Sequence, residues 1–169
     1  MESSPVVIIL IGLPGAGKTT LLQDPLVHHF PDACFDDFHG GSLDGTGNFV
    51  KSRHYDALSR ELRDRHDCLI SDIEYCRSER LAAAEEGLRA LSHELGIEIE
   101  IRRLYFENNP NACRHNIVHR FGHHEKRDYI EELRKVDALS ACYDCPADGT
   151  IQIRTCCNKQ RPFLDESCA

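Results

Sequence analysis

The chain has 169 residues, a formal net charge of −8, and 41% hydrophobic against 28% charged residues. That is the size and balance of a soluble chain with one core. The acidity disfavours a broad electrostatic grip on nucleic acid, which needs many cationic contacts to phosphates, and no apolar run is long enough to span a bilayer. Met1 to Pro5 lacks the basic stretch of a secretory leader, so the expectation is a cytoplasmic protein with no membrane partner.

The first element is Val6-Val7-Ile8-Ile9-Leu10-Ile11, a continuous apolar run of the kind found in a parallel strand covered on both faces. It leads directly into Gly12-Leu13-Pro14-Gly15-Ala16-Gly17-Lys18-Thr19-Thr20, which matches the phosphate-loop pattern G-x-x-x-x-G-K-[ST]. The chemistry calls for these residue types. Glycines let the backbone wrap so that successive N–H groups and the following helix start point at phosphate oxygens. Lys18 supplies a movable positive charge and Thr19 a hydroxyl for Mg²⁺. Gly12, Pro14, Gly15, Ala16, Gly17, Lys18, Thr19 and Thr20 are therefore the candidate binding residues for ATP, or another NTP, with Mg²⁺.

A helix from Lys18 should end near Asp24, because Pro25 disfavours a helical conformation in the residue before it. Ala33-Cys34-Phe35-Asp36 is a short strand ending in acid. His39 to Asn48 contains four glycines and reads as a loop, followed by a helix with Tyr55, Leu58 and Leu62 on one face. Cys68-Leu69-Ile70 is a third strand, leading to Ser71-Asp72. Ser78 is placed to cap the next helix, whose apolar positions Leu81, Ala84, Leu88, Leu91 and Leu95 keep helical spacing until Gly96 stops it. Ile97, Ile99 and Ile101 alternate with Glu98 and Glu100, so this strand should expose one face at its start and lie towards an edge. Asn109-Pro110 opens another helix with a cap and a proline at its first position, and residues 150 to 155 read as a further core strand. Alternating strands and helices imply an α/β chain, a three-layer α/β/α P-loop NTPase fold in one domain, with a mainly parallel sheet of about five strands. Ligands of such sheets lie at the carboxyl ends of the strands.

Nine cysteines are many for this length. A reducing compartment would keep them as thiols, and Cys34, Cys68 and Cys113 read as small core residues. Cys142-x-x-Cys145 and Cys156-Cys157 are spaced so that a hairpin bringing them together would hold zinc, in competition with the core strand at 150 to 155. Arg114, His115, His119, Arg120, His123, His124, Lys126 and Arg127 form a dense basic stretch. It reads either as a solvated helix face or as a helical lid, at approximately 110–135, that gathers anions.

Asp36, Asp37 and Asp72, far apart in sequence, should meet Lys18 at the carboxyl edge of the sheet. A kinase needs a carboxylate to orient an acceptor hydroxyl and take its proton, a metal to neutralise the triphosphate, and mobile arginines over the transferring group. Asp36 is the candidate for the first task, Thr19 and, through water, Asp72 for the second, and Arg120 for the third.

On these residues the chain resembles the polynucleotide-kinase-like group of small P-loop kinases, which includes 5′-hydroxyl kinase domains. The resemblance covers most of residues 6 to 155. It rests on Gly12 to Thr20, on Asp36-Asp37-Phe38 where the family has Asp-Asp-aromatic-Arg, on Leu69-Ile70-Ser71-Asp72, and on Tyr105-Phe106-Glu107 through Cys113 to Arg120. It implies that Asp36 is the general base, that Lys18 and Thr19 handle phosphates and Mg²⁺, and that Arg120 is the lid arginine; Asp37, His39, Asp72 and Arg114 would touch the substrate. The chain departs from the family at His39, which stands where an arginine commonly holds a substrate phosphate, and at Asn116, which stands at the first arginine of the lid motif. Ser71-Asp72-Ile73-Glu74 also departs from the family's Asp-Thr-Asn type of continuation.

The leading expectation is an ATP/Mg²⁺-dependent phosphotransferase acting on a hydroxyl acceptor, with a 5′-hydroxyl of a nucleic acid or nucleotide ranked above a small alcohol such as a nucleoside, sugar, antibiotic or sugar nucleotide. The alternative from another class is a nucleotide-binding regulatory ATPase.

Overall fold

The structure is a computed structural model that describes residues 4–22, 32–38, 41–43, 49–51, 54–121 and 129–155. The elements in chain order are β1 (Val6–Ile11), α1 (Lys18–Leu22), β2 (Ala33–Asp36), β3 (Gly41–Leu43), β4 (Phe49–Lys51), α2 (Tyr55–Arg63), β5 (Cys68–Ser71), a short 3-10 helix (Ile73–Cys76), α3 (Ser78–Leu95), β6 (Glu100–Tyr105), α4 (Pro110–Phe121) and α5 (Tyr129–Ser140). Four strands form one parallel sheet in the order β2-β5-β1-β6. Among the described residues five α-helices accompany the sheet, an arrangement compatible with a three-layer α/β/α fold.

The apolar content of each strand follows its place in the sheet. β1 is central, and Val7, Ile9, Leu10 and Ile11 are fully buried. β6 lies at the outer side of β1, and Glu100, Arg102 and Arg103 are exposed along it, as the alternating isoleucines and glutamates foretell. The strand begins at Glu100, so Ile97 to Ile99 lead into it and remain half-buried or exposed. Beyond the sheet, Ile151 makes one parallel bridge with Phe106, giving its N–H to the Tyr105 carbonyl and its carbonyl to the Glu107 N–H. Among the described residues the expected strand at 150–155 is this single bridge.

The helices bury the stripes that their spacing predicts. Tyr55, Leu58 and Leu62 of α2 and Leu81, Ala84, Leu88 and Leu91 of α3 join the core. Gly96 ends α3 with φ 65°, a left-handed conformation that glycine adopts without the Cβ penalty. Asn109 caps α4, its Oδ1 accepting from the Ala112 N–H at 3.1 Å, with Pro110 as the first helical residue.

Three expectations are corrected. Ser78 is the first helical residue of α3 rather than its cap; Arg77 holds that position and makes no side-chain capping bond. The segment read as a loop from His39 contains β3, paired antiparallel with β4; extended backbone there is compatible with glycine wherever a partner strand supplies hydrogen bonds. Cys34 is exposed, because alternation along β2 buries Phe35 and turns its neighbours outward, whereas Cys68 and Cys113 are buried. Among the described residues no helix is long and apolar enough to cross a membrane.

Candidate functional site

The parallel register brings the ends of three strands side by side. Leu10 is level with Ser71, and Asp36 with Ser71, so the last residues of β2 and β5 flank the exit of β1 into Gly12. The chain leaving β1 then folds into a tight turn in which the Ala16 N–H donates to the Leu13 carbonyl at 3.1 Å, with Gly15 at φ 78° and Gly17 at φ 103°. Among the described residues, the backbone N–H groups of Gly17, Lys18 and Thr19 meet no acceptor. Consecutive N–H donors at a glycine turn and helix start make a concavity suited to an anion.

Close approach makes Gly12 a tight position and requires glycine at Gly15. A Cβ on Gly12 would lie 3.0 Å from the Phe106 side chain, and one on Gly15 would lie 2.5 Å from the Cys113 carbonyl oxygen. The loop is thus pressed against the end of β6 on one side and against α4 on the other.

Lys18 is only 8% exposed. Its ammonium donates to the Gly12 carbonyl at 2.6 Å and to the Leu13 carbonyl at 3.1 Å, folding the side chain back over its own loop. Burial pushes its pKa down, and the carboxylates of Asp36 and Asp72 work against that. The thiols beside it carry no charge near neutrality, since burial pushes Cys76 and Cys113 up to about 12.

Asp36 is exposed at the sheet edge and collects three donors. Ser71 Oγ donates to Oδ1 at 2.9 Å, the Asp37 N–H donates to Oδ1 at 3.2 Å, and Thr19 Oγ1 reaches Oδ2 at 3.5 Å. Asp37 lies beyond the strand with φ 57°, so its direction is set by a left-handed turn and not by strand alternation. Asp72 is 2% exposed; its Oδ1 accepts from the Glu74 N–H at 2.6 Å and caps the 3-10 helix. Tyr75 of that helix donates to the Phe38 carbonyl, tying the chain after Asp37 to the chain after Asp72.

The basic residues lie differently. Arg114 is paired with Asp137 of α5 and donates to Asn111 Oδ1 at 2.8 Å, so the structure places its charge at the α4·α5 seam. Arg120 is exposed in the last turn of α4. His39, His123, His124, Lys126 and Arg127 fall outside the described residues, as do Cys156 and Cys157. Cys142 and Cys145 donate to the carbonyls of Leu139 and Phe106, each at 3.3 Å.

Sequence reasoning assigned no role to Ser71, although its position as the last residue of a strand next to the one ending in Asp36 carried the signal. It also treated Asn116 only as a missing arginine. In the structure Asn116 Nδ2 donates to the Gly15 carbonyl at 3.0 Å and to the Arg154 carbonyl at 2.8 Å.

No known protein family matches the chain. It is similar to an uncharacterised protein of Acanthamoeba polyphaga mimivirus, 28% identical over 137 residues that cover 81% of this chain and 85% of the viral one.

Proposed function

We propose that the chain is a P-loop phosphotransferase that moves the γ-phosphate of ATP, with Mg²⁺, to a hydroxyl acceptor, and that Asp36 is its general base. The observation that carries the reading is the convergence of Thr19 Oγ1 and Ser71 Oγ on the Asp36 carboxylate, beside a glycine turn whose lysine is buried in the loop. An exposed carboxylate at a strand end, within reach of the residue that would hold metal, is where an acceptor hydroxyl must sit to attack in line.

The donor set fits Mg²⁺, which prefers hard oxygen ligands and few protein groups. Thr19 Oγ1 would be the protein ligand and Asp72 would act through water; the ion would neutralise charge on the triphosphate. Lys18, released from the Gly12 and Leu13 carbonyls, would move to the phosphates, and the loop N–H groups would hold their oxygens. Asp36 would orient the acceptor and take its proton late, while Ser71 and the Asp37 N–H keep the carboxylate in place. Arg120, at the outer end of α4, would cover the transferring group. Within this reading a 5′-hydroxyl of a nucleic acid or nucleotide ranks above an unrelated small alcohol.

The test is transfer from γ-labelled ATP to a panel of 5′-hydroxyl oligonucleotides, nucleosides and sugars. Labelled acceptor from any member supports the phosphotransferase. Labelled inorganic phosphate without labelled acceptor replaces it with a nucleotide-hydrolysing switch.

A further inference from the structure

We infer that Asn116 is a positioning residue for the Gly12–Thr19 loop, acting through the Gly15 carbonyl. The inference rests on the nucleotide-binding reading above and extends it to a residue of α4.

A side-chain amide has two N–H donors, and Asn116 spends them on two carbonyls from distant parts of the chain. The bond to Gly15 spans 101 residues and the bond to Arg154 spans 38. The Gly15 carbonyl points at α4, where the helix backbone donors are engaged along the helix, so the amide supplies what the helix cannot. A peptide unit is rigid. Holding the Gly15 carbonyl therefore also aims the Ala16 N–H, which closes the turn onto the Leu13 carbonyl at 3.1 Å.

Packing acts in the same direction. The Gly15 Cα faces the Cys113 carbonyl and the Ile117 side chain so closely that a Cβ would stand 2.5 Å from one and 2.9 Å from the other. Cys113, Asn116 and Ile117 lie on one stripe of α4, at i, i+3 and i+4, and Cys113 and Ile117 are fully buried. The first two turns of α4 are therefore wedged against the loop and cannot swing as a lid without breaking it. Any closing movement belongs to the helix end that carries Arg120. The C-terminal segment is drawn in as well, because Arg154 is anchored by the same amide and Ile153 donates its N–H to Glu107 Oε1 at 2.9 Å.

Asn116→Asp is the informative substitution, since it keeps shape and turns a donor into an acceptor facing two carbonyl oxygens. Such a carboxyl has its charged form disfavoured and regains one donor on protonation. The expected result at about pH 7 is ATP binding weakened about tenfold, the size associated with leaving a partly buried acceptor without its donor. KM for the acceptor should stay unchanged, and the ATP defect should shrink towards about pH 5. Asn116→Ala should show a similar defect that does not change with pH. In the nucleotide-free chain, amide exchange at Ala16, whose N–H is bonded to the Leu13 carbonyl, should quicken in Asn116→Asp relative to wild type at the same pH, while α3 keeps its protection. Wild-type loop exchange and wild-type ATP affinity in Asn116→Asp would overturn the inference. So would a uniform loss of protection that includes α3, which would make Asn116 a residue of general stability. If the wild-type chain bound no nucleotide, the functional reading would fall, and the loop-exchange comparison would still decide whether Asn116 positions the loop.

Discussion

The Gly12–Thr19 loop and the α4–α5 pair touch each other at Gly15, and they hold their charged groups in opposite ways. Lys18 is buried, with both carbonyl partners in its own loop, and Asp72 is buried with a backbone N–H partner. On the helical pair, Arg120 is exposed, and Arg114 meets Asp137 with both side chains substantially exposed, at 39% and 56%. The large apolar side chains Val118 of α4 and Tyr129 and Ile130 of α5 are exposed too. A buried charge is expensive unless its partners are fixed, so the loop side is pre-organised by backbone. An exposed charge is cheap to move and worth little until something desolvates it, which is what a covering element requires. The same comparison explains why α4 divides into a wedged beginning and an outer end.

The largest expected effect tests the loop half of this contrast. Lys18→Ala should lower transfer by at least about 10²-fold, or about 2.7 kcal/mol on the barrier. Circular dichroism should show that the fold persists, because the side chain packs over its own loop. Normal turnover would remove the loop from the chemistry.

Asp36→Asn comes next. It keeps an acceptor for Ser71 Oγ and cannot take a proton, so transfer should fall by about 10²-fold while ATP binding, measured by calorimetry, stays nearly intact. Asp37→Asn should do less, since Asp37 lies past the strand end in a left-handed turn. An exchange of the two effects would move the base by one residue.

Arg120→Ala probes the exposed half. If its charge acts only when covering the transferring group, kcat should drop by more than about tenfold, or about 1.4 kcal/mol, with the melting temperature unchanged. A change confined to melting temperature would assign Arg120 to a surface pair.

Arg114→Ala should have a smaller consequence. Its pairing with Asp137 is worth at most about 1 kcal/mol at this exposure, and both kcat and the acceptor KM should hold. A raised acceptor KM would return Arg114 to the substrate site and break the division of α4.

The smallest effect lies away from both regions. Glu85 is buried against Arg103 and Arg89, and the Arg103 guanidinium holds its carboxyl below the ordinary carboxylate value. A folded pKa below the unfolded one contributes stability that is present above the unfolded pKa and lost as pH falls through the folded value. Wild-type melting temperature should therefore fall more steeply below about pH 4.5 than that of Glu85→Gln. Parallel curves would show that Glu85 contributes nothing through its charge.

The local part of this molecule was legible in the residue order. The run Val6 to Ile11, the glycine pattern after it, the cap at Asn109 and the stop at Gly96 act within a few residues of themselves, so their chemistry is written where it operates. The presence of the four strands of the parallel sheet, the buried stripes of α2 and α3, the start of α4 and the acidic end of β2 followed from period and punctuation, whereas β6 begins at Glu100 and not at Ile97. The hairpin of β3 and β4 was not legible, because a glycine-rich stretch pairs only when another segment offers it hydrogen bonds. The partners were not legible either. That Ser71 would hold Asp36, that Asp137 would take Arg114, and that Asn116 would bridge Gly15 and Arg154 depends on strand register and on how α4 lies against the loop. These are contacts across 35, 23, 101 and 38 positions, and spacing along a chain carries no information about distances that only the packed sheet and helices create.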